Sequence, residues 1–264
     1  LLGIFSDNNL LKSTELSLAL QTLILLFFIY SSDLQIKDLR NNLLNDLISN
    51  YYFGLFFTTF CLLVLINGAN FIDGLDGLNL GYFFLIIIII MILGNSSVLN
   101  FDEKKLMTIF YIISFLFLLN VFNYLYLGDS GSYLIGFIFG IFLIELSYDN
   151  YFLSPYFIAL LLWYPAFENL FSIIRKRVIK KDPLQPDNAH LHQLLFSFFK
   201  KNGNNFTKKF SNSFSSSLII LYNLVIFLIG SNFVNHTKIL FLLLLINIII
   251  YLTVYFVLKK IKYN

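Results

Sequence analysis

Leu80-Gly81-Tyr82-Phe83-Phe84-Leu85-Ile86-Ile87-Ile88-Ile89-Ile90-Met91-Ile92-Leu93 holds no charged residue, and Asn67-Gly68-Ala69-Asn70-Phe71-Ile72-Asp73-Gly74-Leu75-Asp76-Gly77-Leu78 precedes it. Tyr51–Ile66, also without charge, lies on the other side of that polar stretch. Two greasy runs with a knot of acids and amides between them are the pattern of a membrane protein. Polar side chains cost free energy at membrane depth and are kept there for function.

The rest of the chain repeats this alternation. Of 264 residues 58% are hydrophobic and 12% are charged, about half the charge of a soluble globular chain. A hydrocarbon core needs roughly 20 apolar residues to cross as helix. Eight spans are expected: Leu16–Tyr30, Tyr51–Ile66, Leu80–Leu93, Leu106–Leu119, Tyr133–Leu146, Leu153–Ile174, Ser217–Phe233 and Ile239–Leu258. The expected fold is an all-α, polytopic transmembrane helix bundle forming a single integral membrane domain over residues 1–264.

Lys and Arg set the orientation, because they collect on the cytoplasmic side. Eight spans leave nine flanking segments. The odd ones hold thirteen Lys and Arg: Lys12, nine between Arg175 and Lys209, and Lys259, Lys260 and Lys262. The even ones hold five: Lys37, Arg40, Lys104, Lys105 and Lys238. The odd segments are therefore expected to be cytoplasmic, including the loop at roughly 175–212. All four polar motifs fall in odd segments. A net charge of +3 gives no reason to expect nucleic acid as a partner. The single Cys61 lies within an apolar run and reads as a small buried hydrophobe.

The double Asp-Gly stretch is the strongest motif. Asp73 and Asp76, three apart, can share a helical face. Carboxylates and carboxamides suit Mg²⁺, which keeps waters and bridges to substrate phosphates. The competing explanation is a capped helix start after a glycine turn. Gly128-Asp129-Ser130-Gly131-Ser132 opens the fifth span. Backbone N–H groups at a helix start suit a phosphate, yet Asp129 would repel one unless a cation lay between. An N-cap by Asp129 or Ser130 explains the same residues. Pro186-Asp187-Asn188-Ala189-His190-Leu191-His192-Gln193-Leu194 lies in the basic loop. Its two imidazoles, with Arg175 or Arg177, are candidate donors to diphosphate oxygens, and a closed zinc site is not expected with one Cys. Gly3-Ile4-Phe5-Ser6-Asp7-Asn8 is the fourth motif, for which a helix cap is the ordinary explanation.

Together these motifs resemble the polyprenyl-phosphate N-acetylhexosamine-1-phosphate transferases (glycosyltransferase family 4). Asn67–Leu78 is similar to that family's Asn-rich, double Asp-Gly loop, and Gly128–Ser132 to its Gly-Asp-x-Gly-Ser motif. Pro165–Arg177 followed by Asp187–Leu194 resembles its last cytoplasmic loop. The His-x-His form looks more like the N-acetylglucosamine-type branch than the peptidoglycan translocase.

The resemblance implies transfer of a sugar 1-phosphate from a UDP-sugar to polyprenyl (undecaprenyl) phosphate, with release of UMP. It also implies Mg²⁺ or Mn²⁺ as cofactor and a bacterial plasma-membrane location with the site on the cytoplasmic face. Asp129 is the expected metal ligand. Asp7 would activate or orient the lipid phosphate, and Asp73 and Asp76 would bind nucleotide-sugar or support the metal. Asn67 and Asn70 would supply amide contacts, and Arg175, His190 and His192 would hold diphosphate. The family has about ten or eleven spans, so two or three are expected before Gly3.

Two departures matter. The family carries two acids that, counted from Gly3, fall on Ser6 and Asp7, or in an alternative register on Asp7 and Asn8, and a basic residue is common where Ser17 stands. The alternatives are a catalytically impaired relative acting as a scaffold, and a transporter. A transporter would place its polar groups near the membrane midplane, whereas here they lie at span ends.

Overall fold

The computed structural model describes residues 2–8, 13–95, 99–180, 182, 188–202 and 207–263. Those residues form helices and connecting turns, with no strand among them. Pro186 and Asp187 of the His-x-His motif lie outside the described residues.

Two compact units divide the chain, and the division falls inside one helix, after Asn70. The first unit contains α1 (Leu2–Asp7), α2 (Thr14–Ser32), α3 (Asn42–Ile48), most of α4 (Tyr51–Ile72), α7 (Gly128–Asp149), α8 (Pro155–Leu161) and α9 (Trp163–Val178). The second contains α5 (Leu78–Asn95), α6 (Glu103–Val121), α10 (Leu191–Asn202), α11 (Lys208–Ser231) and nearly all of α12 (Thr237–Tyr263).

Local chemistry sets the helix ends. Ser13, Asp102, Ser154 and Thr207 each accept a backbone N–H at the start of α2, α6, α8 and α11. Such caps satisfy donors that the helix itself leaves open. Pro155 begins α8, where its missing N–H costs nothing.

In the first unit, α2 and α4 pack through Leu25, Ile29, Leu55, Leu62 and Ile66, with Tyr133, Phe137, Ile141 and Ile144 of α7 against them. A methyl at Gly136 would stand 2.9 Å from Ile66 Cα, so α7 approaches α4 almost backbone to backbone. Small residues allow this between spans, where the lipid gives no hydrophobic drive. In the second unit α5 is the centre: Leu80, Tyr82, Phe83, Ile86, Ile87, Ile89 and Ile90 are all fully buried. Tyr82 meets Phe227 of α11 edge to face at 5.7 Å, and Phe84 stacks on Phe117 of α6 at 5.7 Å.

Apolar side chains also cover the outside. Phe27 is 73% exposed, Tyr111 66% and Ile249 62%. Water would penalise such a surface, whereas lipid would not. Among the described residues six helices are long and apolar enough to cross a membrane: α2, α4, α6, α7, α11 and α12. The protein is a multi-pass helical membrane protein.

The eight expected spans are all helical, with two differences. The apolar helix at Leu78–Gly94 is shorter than the six. The expected span Leu153–Ile174 is two helices, α8 and α9, bent by 74° at Leu162, and counting the pair as one span gives seven. Pro165 explains the bend. It cannot donate to the carbonyl of Leu161, and its ring crowds that carbonyl.

Candidate functional site

Two clusters, one in each unit, hold predicted site residues. In the first, α7 begins after a turn at Gly128, whose φ of +62° favours glycine. The residue before it, Leu127, has no side chain able to cap the helix. Asp7 supplies that cap from the end of α1. Its Oδ1 accepts the Asp129 N–H at 2.9 Å and its Oδ2 the Ser130 N–H at 3.1 Å. Ser130 Oγ donates to Oδ2 as well. A cap by Asp129 or Ser130 themselves is the competing explanation of this motif, and the group that fills the place is 122 residues away. Burial works against the ionised form of Asp7, but these three hydrogen bonds outweigh it and bring its carboxyl below the ordinary value of 3.8.

Ser6 precedes Asp7 at the end of α1. Its hydroxyl donates to Asp129 Oδ2 at 2.5 Å. The structure thus brings Ser6, Asp7, Asp129 and Ser130 into one corner.

Asn67 and Asn70 belong to a neighbouring network on the last turns of α4. Asn67 Nδ2 donates to Gln21 Oε1 at 3.0 Å and to the Leu63 carbonyl at 2.9 Å. Asn70 Nδ2 donates to Tyr133 Oη at 3.4 Å, one turn along α7 from Asp129. Gln21 and Tyr133 had no signal in the sequence, because single polar residues within apolar helices read as background. Arg175 is buried on α9, where its guanidinium donates to Ser172 Oγ at 3.2 Å.

The second cluster surrounds the double Asp-Gly loop. Asp73 and Asp76 do not share a helical face: α4 ends at Ile72 and α5 starts at Leu78, with a turn between. Gly77 has φ +77°, which ends any helical continuation. Asn212 of α11 holds Asp76 from both ends: its Oδ1 accepts the Asp76 N–H at 3.0 Å and its Nδ2 donates to Asp76 Oδ2 at 2.8 Å. Asn120 of α6 accepts the Gly77 N–H at 2.6 Å and donates to the Leu125 carbonyl at 2.8 Å. A cavity of about 60 Å³ opens beside Asp76, lined also by Gly77, Phe117, Ser213 and Ser216.

Both histidines join this cluster. His190 lies 5.1 Å from the Phe71 ring, and the imidazoles of His190 and His192 stack at 5.7 Å with 13° between their planes. His192 lies in the first turn of α10 and is fully buried. A methyl on Gly74 would stand 3.0 Å from His192 Cδ2, so the first Asp-Gly turn and the His-x-His motif are in contact. His190 N–H donates to Gln193 Oε1 at 3.2 Å, which fixes the entry to α10.

Among the described residues no group of three or more His, Cys, Asp or Glu is arranged around a common metal position. The Asp129 corner offers carboxylate oxygens of the kind that Mg²⁺ takes together with waters and substrate phosphates.

The Glycosyl transferase family 4 sequence profile matches residues 1–147. Curated proteins similar to this chain include a "probable undecaprenyl-phosphate N-acetylglucosaminyl 1-phosphate transferase" of Bacillus subtilis, 34% identical over 140 residues (50% of this chain, 37% of that protein). An "undecaprenyl-phosphate alpha-N-acetylglucosaminyl 1-phosphate transferase" of Thermotoga maritima is 32% identical over 130 residues (49% of this chain, 39% of that protein). A "decaprenyl-phosphate N-acetylglucosaminephosphotransferase" of Mycolicibacterium smegmatis is 30% identical over 152 residues (50% of this chain, 37% of that protein). The chain thus spans less than two fifths of the length of these relatives. No solved structure matches it.

Proposed function

We propose that this chain, which belongs to the Glycosyl transferase family 4, takes part in moving a sugar 1-phosphate from a UDP-sugar to a polyprenyl phosphate. The named relatives act on undecaprenyl or decaprenyl phosphate and carry N-acetylglucosamine in their names. UDP-N-acetylglucosamine and undecaprenyl phosphate are accordingly the first substrates to try.

In this reading an oxygen of the lipid phosphate attacks the β-phosphorus of the UDP-sugar. The bond from that phosphorus to the bridging oxygen breaks, and UMP leaves with the bridging oxygen. The protein's task is to align attack with departure and to balance phosphate charge. Asp7, fixed on the first amides of α7, orients the lipid phosphate beside Asp129. Asp129 would hold Mg²⁺, which when bound neutralises charge on the diphosphate. Asp73 and Asp76 receive the nucleotide-sugar, and His190, His192 and Arg175 donate to its phosphate oxygens. Asn67 and Asn70 hold the end of α4, from which the Asp-Gly loop departs. The excess of Lys and Arg in the odd segments supports a cytoplasmic side for this chemistry. There a soluble nucleotide-sugar can meet a membrane-bound phosphate.

The observation that carries the proposal is the corner of Asp7 and Asp129 on the α7 start, in a chain that also holds His192 against the Asp-Gly loop. The test is incubation of the purified protein with UDP-N-acetylglucosamine, undecaprenyl phosphate and Mg²⁺. UMP and a lipid-linked sugar are expected. Neither product from any UDP-sugar would refute the proposal.

A further inference from the structure

We infer that Asn212, at the start of α11, is a positioning residue that fixes Asp76 for the nucleotide-sugar; this rests on the function proposed above. The loop from Asp73 to Gly77 lies between two helices and lacks a helical ladder of its own. Its amides must find other acceptors, because an unmet buried N–H is costly. Asn212 provides one for Asp76 at 3.0 Å, and Asn120 provides one for Gly77 at 2.6 Å.

The two asparagines do different things. Asn120 touches only backbone in this loop, so it sets the path of the chain. Asn212 also touches the side chain that the proposal assigns to substrate. Its Nδ2 donates to Asp76 Oδ2 at 2.8 Å. The two hydrogen bonds close a ring between one carboxamide and one aspartate, 136 positions apart. The ring fixes the side-chain torsion of Asp76 and commits one carboxylate oxygen. The other, Oδ1, remains to accept from a nucleotide-sugar. Asp76 also lines the cavity of about 60 Å³, whose wall includes Ser213 and Ser216 on the same helix as Asn212. An aspartate held in one rotamer before binding loses less freedom when the substrate arrives.

The role is therefore on substrate affinity, acting through Asp76. Full-length protein is assayed with UDP-N-acetylglucosamine and undecaprenyl phosphate in four forms: wild type, Asn212→Ala, Asp76→Ala and the double variant. Asn212→Ala is expected to raise KM for the nucleotide-sugar about tenfold, or ~1.4 kcal/mol, with KM for the lipid within about twofold. The double variant is expected to be no worse than Asp76→Ala, since the amide has nothing left to position. Equal rises in both KM values, or effects that multiply in the double variant, would overturn the inference in favour of a general structural role.

A wild type inactive with every UDP-sugar would refute the functional reading instead. The clamp would then be judged by hydrogen exchange at the Asp76 amide. Exchange about tenfold faster in Asn212→Ala sustains the clamp, and unchanged exchange overturns it.

Discussion

The hydroxyl of Ser6 donates to Asp129 Oδ2 at 2.5 Å, so a neutral side chain contacts the expected metal ligand. A carboxylate in its place would set two negative charges side by side, tolerable only with a cation between them. Ser6→Asp is predicted to make the corner depend on divalent cations. Its thermal midpoint in chelator should fall below wild type and recover in millimolar Mg²⁺. Wild type should shift less between the same two buffers. Equal shifts would show that the serine does not relieve such repulsion.

Asp7 caps a helix from 122 residues away, which gives a stability and a pH prediction. Asp7→Ala removes the acceptor for two amides and a hydroxyl, and loss of a cap costs about 1 kcal/mol. The local readout is faster exchange at the Asp129 and Ser130 amides. The folded carboxyl has its pKa lowered from 3.8. Its contribution is therefore fully present above that ordinary value and is lost as pH falls through the lower folded one. Protection of the two amides should persist at pH 5 and fail only below the ordinary carboxylate range. Failure near neutral pH would contradict this capping.

A methyl at Gly74 would press on His192, with 3.0 Å to Cδ2 and a closer approach to Nε2. Gly74→Ala should displace the imidazole and lower turnover by about tenfold, the scale expected when a positioned group moves by less than an ångström or so. His192→Ala alone should also be slow, and adding Gly74→Ala to it should cost little more, because the clash is gone. A double variant much slower than His192→Ala would show that Gly74 matters for another reason.

The backbone of α4 runs against the bend between α8 and α9. A methyl on Gly68 would stand 2.6 Å from the carbonyl carbon of Pro165, whose backbone cannot yield easily. Gly68→Ala is predicted to lower stability by about 1–3 kcal/mol, the usual cost of overpacking. Thermal unfolding in detergent would measure it, and a neutral substitution would mean that the helices do not approach so closely.

Much of this was legible from local pattern. The apolar runs located the helices, and Gly128–Ser132 marked the start of α7 because helix starts need small residues and acceptors. The bend at Leu162 was missed although Pro165 was in view, because the apolar pattern continues on both sides of it. The turn between Asp73 and Asp76 was read as one helical face, since three-residue spacing alone does not reveal that Gly77 adopts φ +77°. Asp7, Asn120 and Asn212 act over distances of 43 to 136 residues. No spacing rule links an asparagine in a serine-rich helix start to one aspartate among several, so those partners needed the fold.

The central claim is that the phosphorus travels with the sugar. A UDP-sugar labelled at the β-phosphorus distinguishes this from ordinary glycosyl transfer, in which UDP keeps both phosphates. With purified full-length protein, undecaprenyl phosphate and Mg²⁺, the account predicts that the label enters the lipid fraction with an equal amount of UMP, and that Asp129→Ala abolishes both. Label released as UDP, or transfer undiminished in Asp129→Ala, would contradict it.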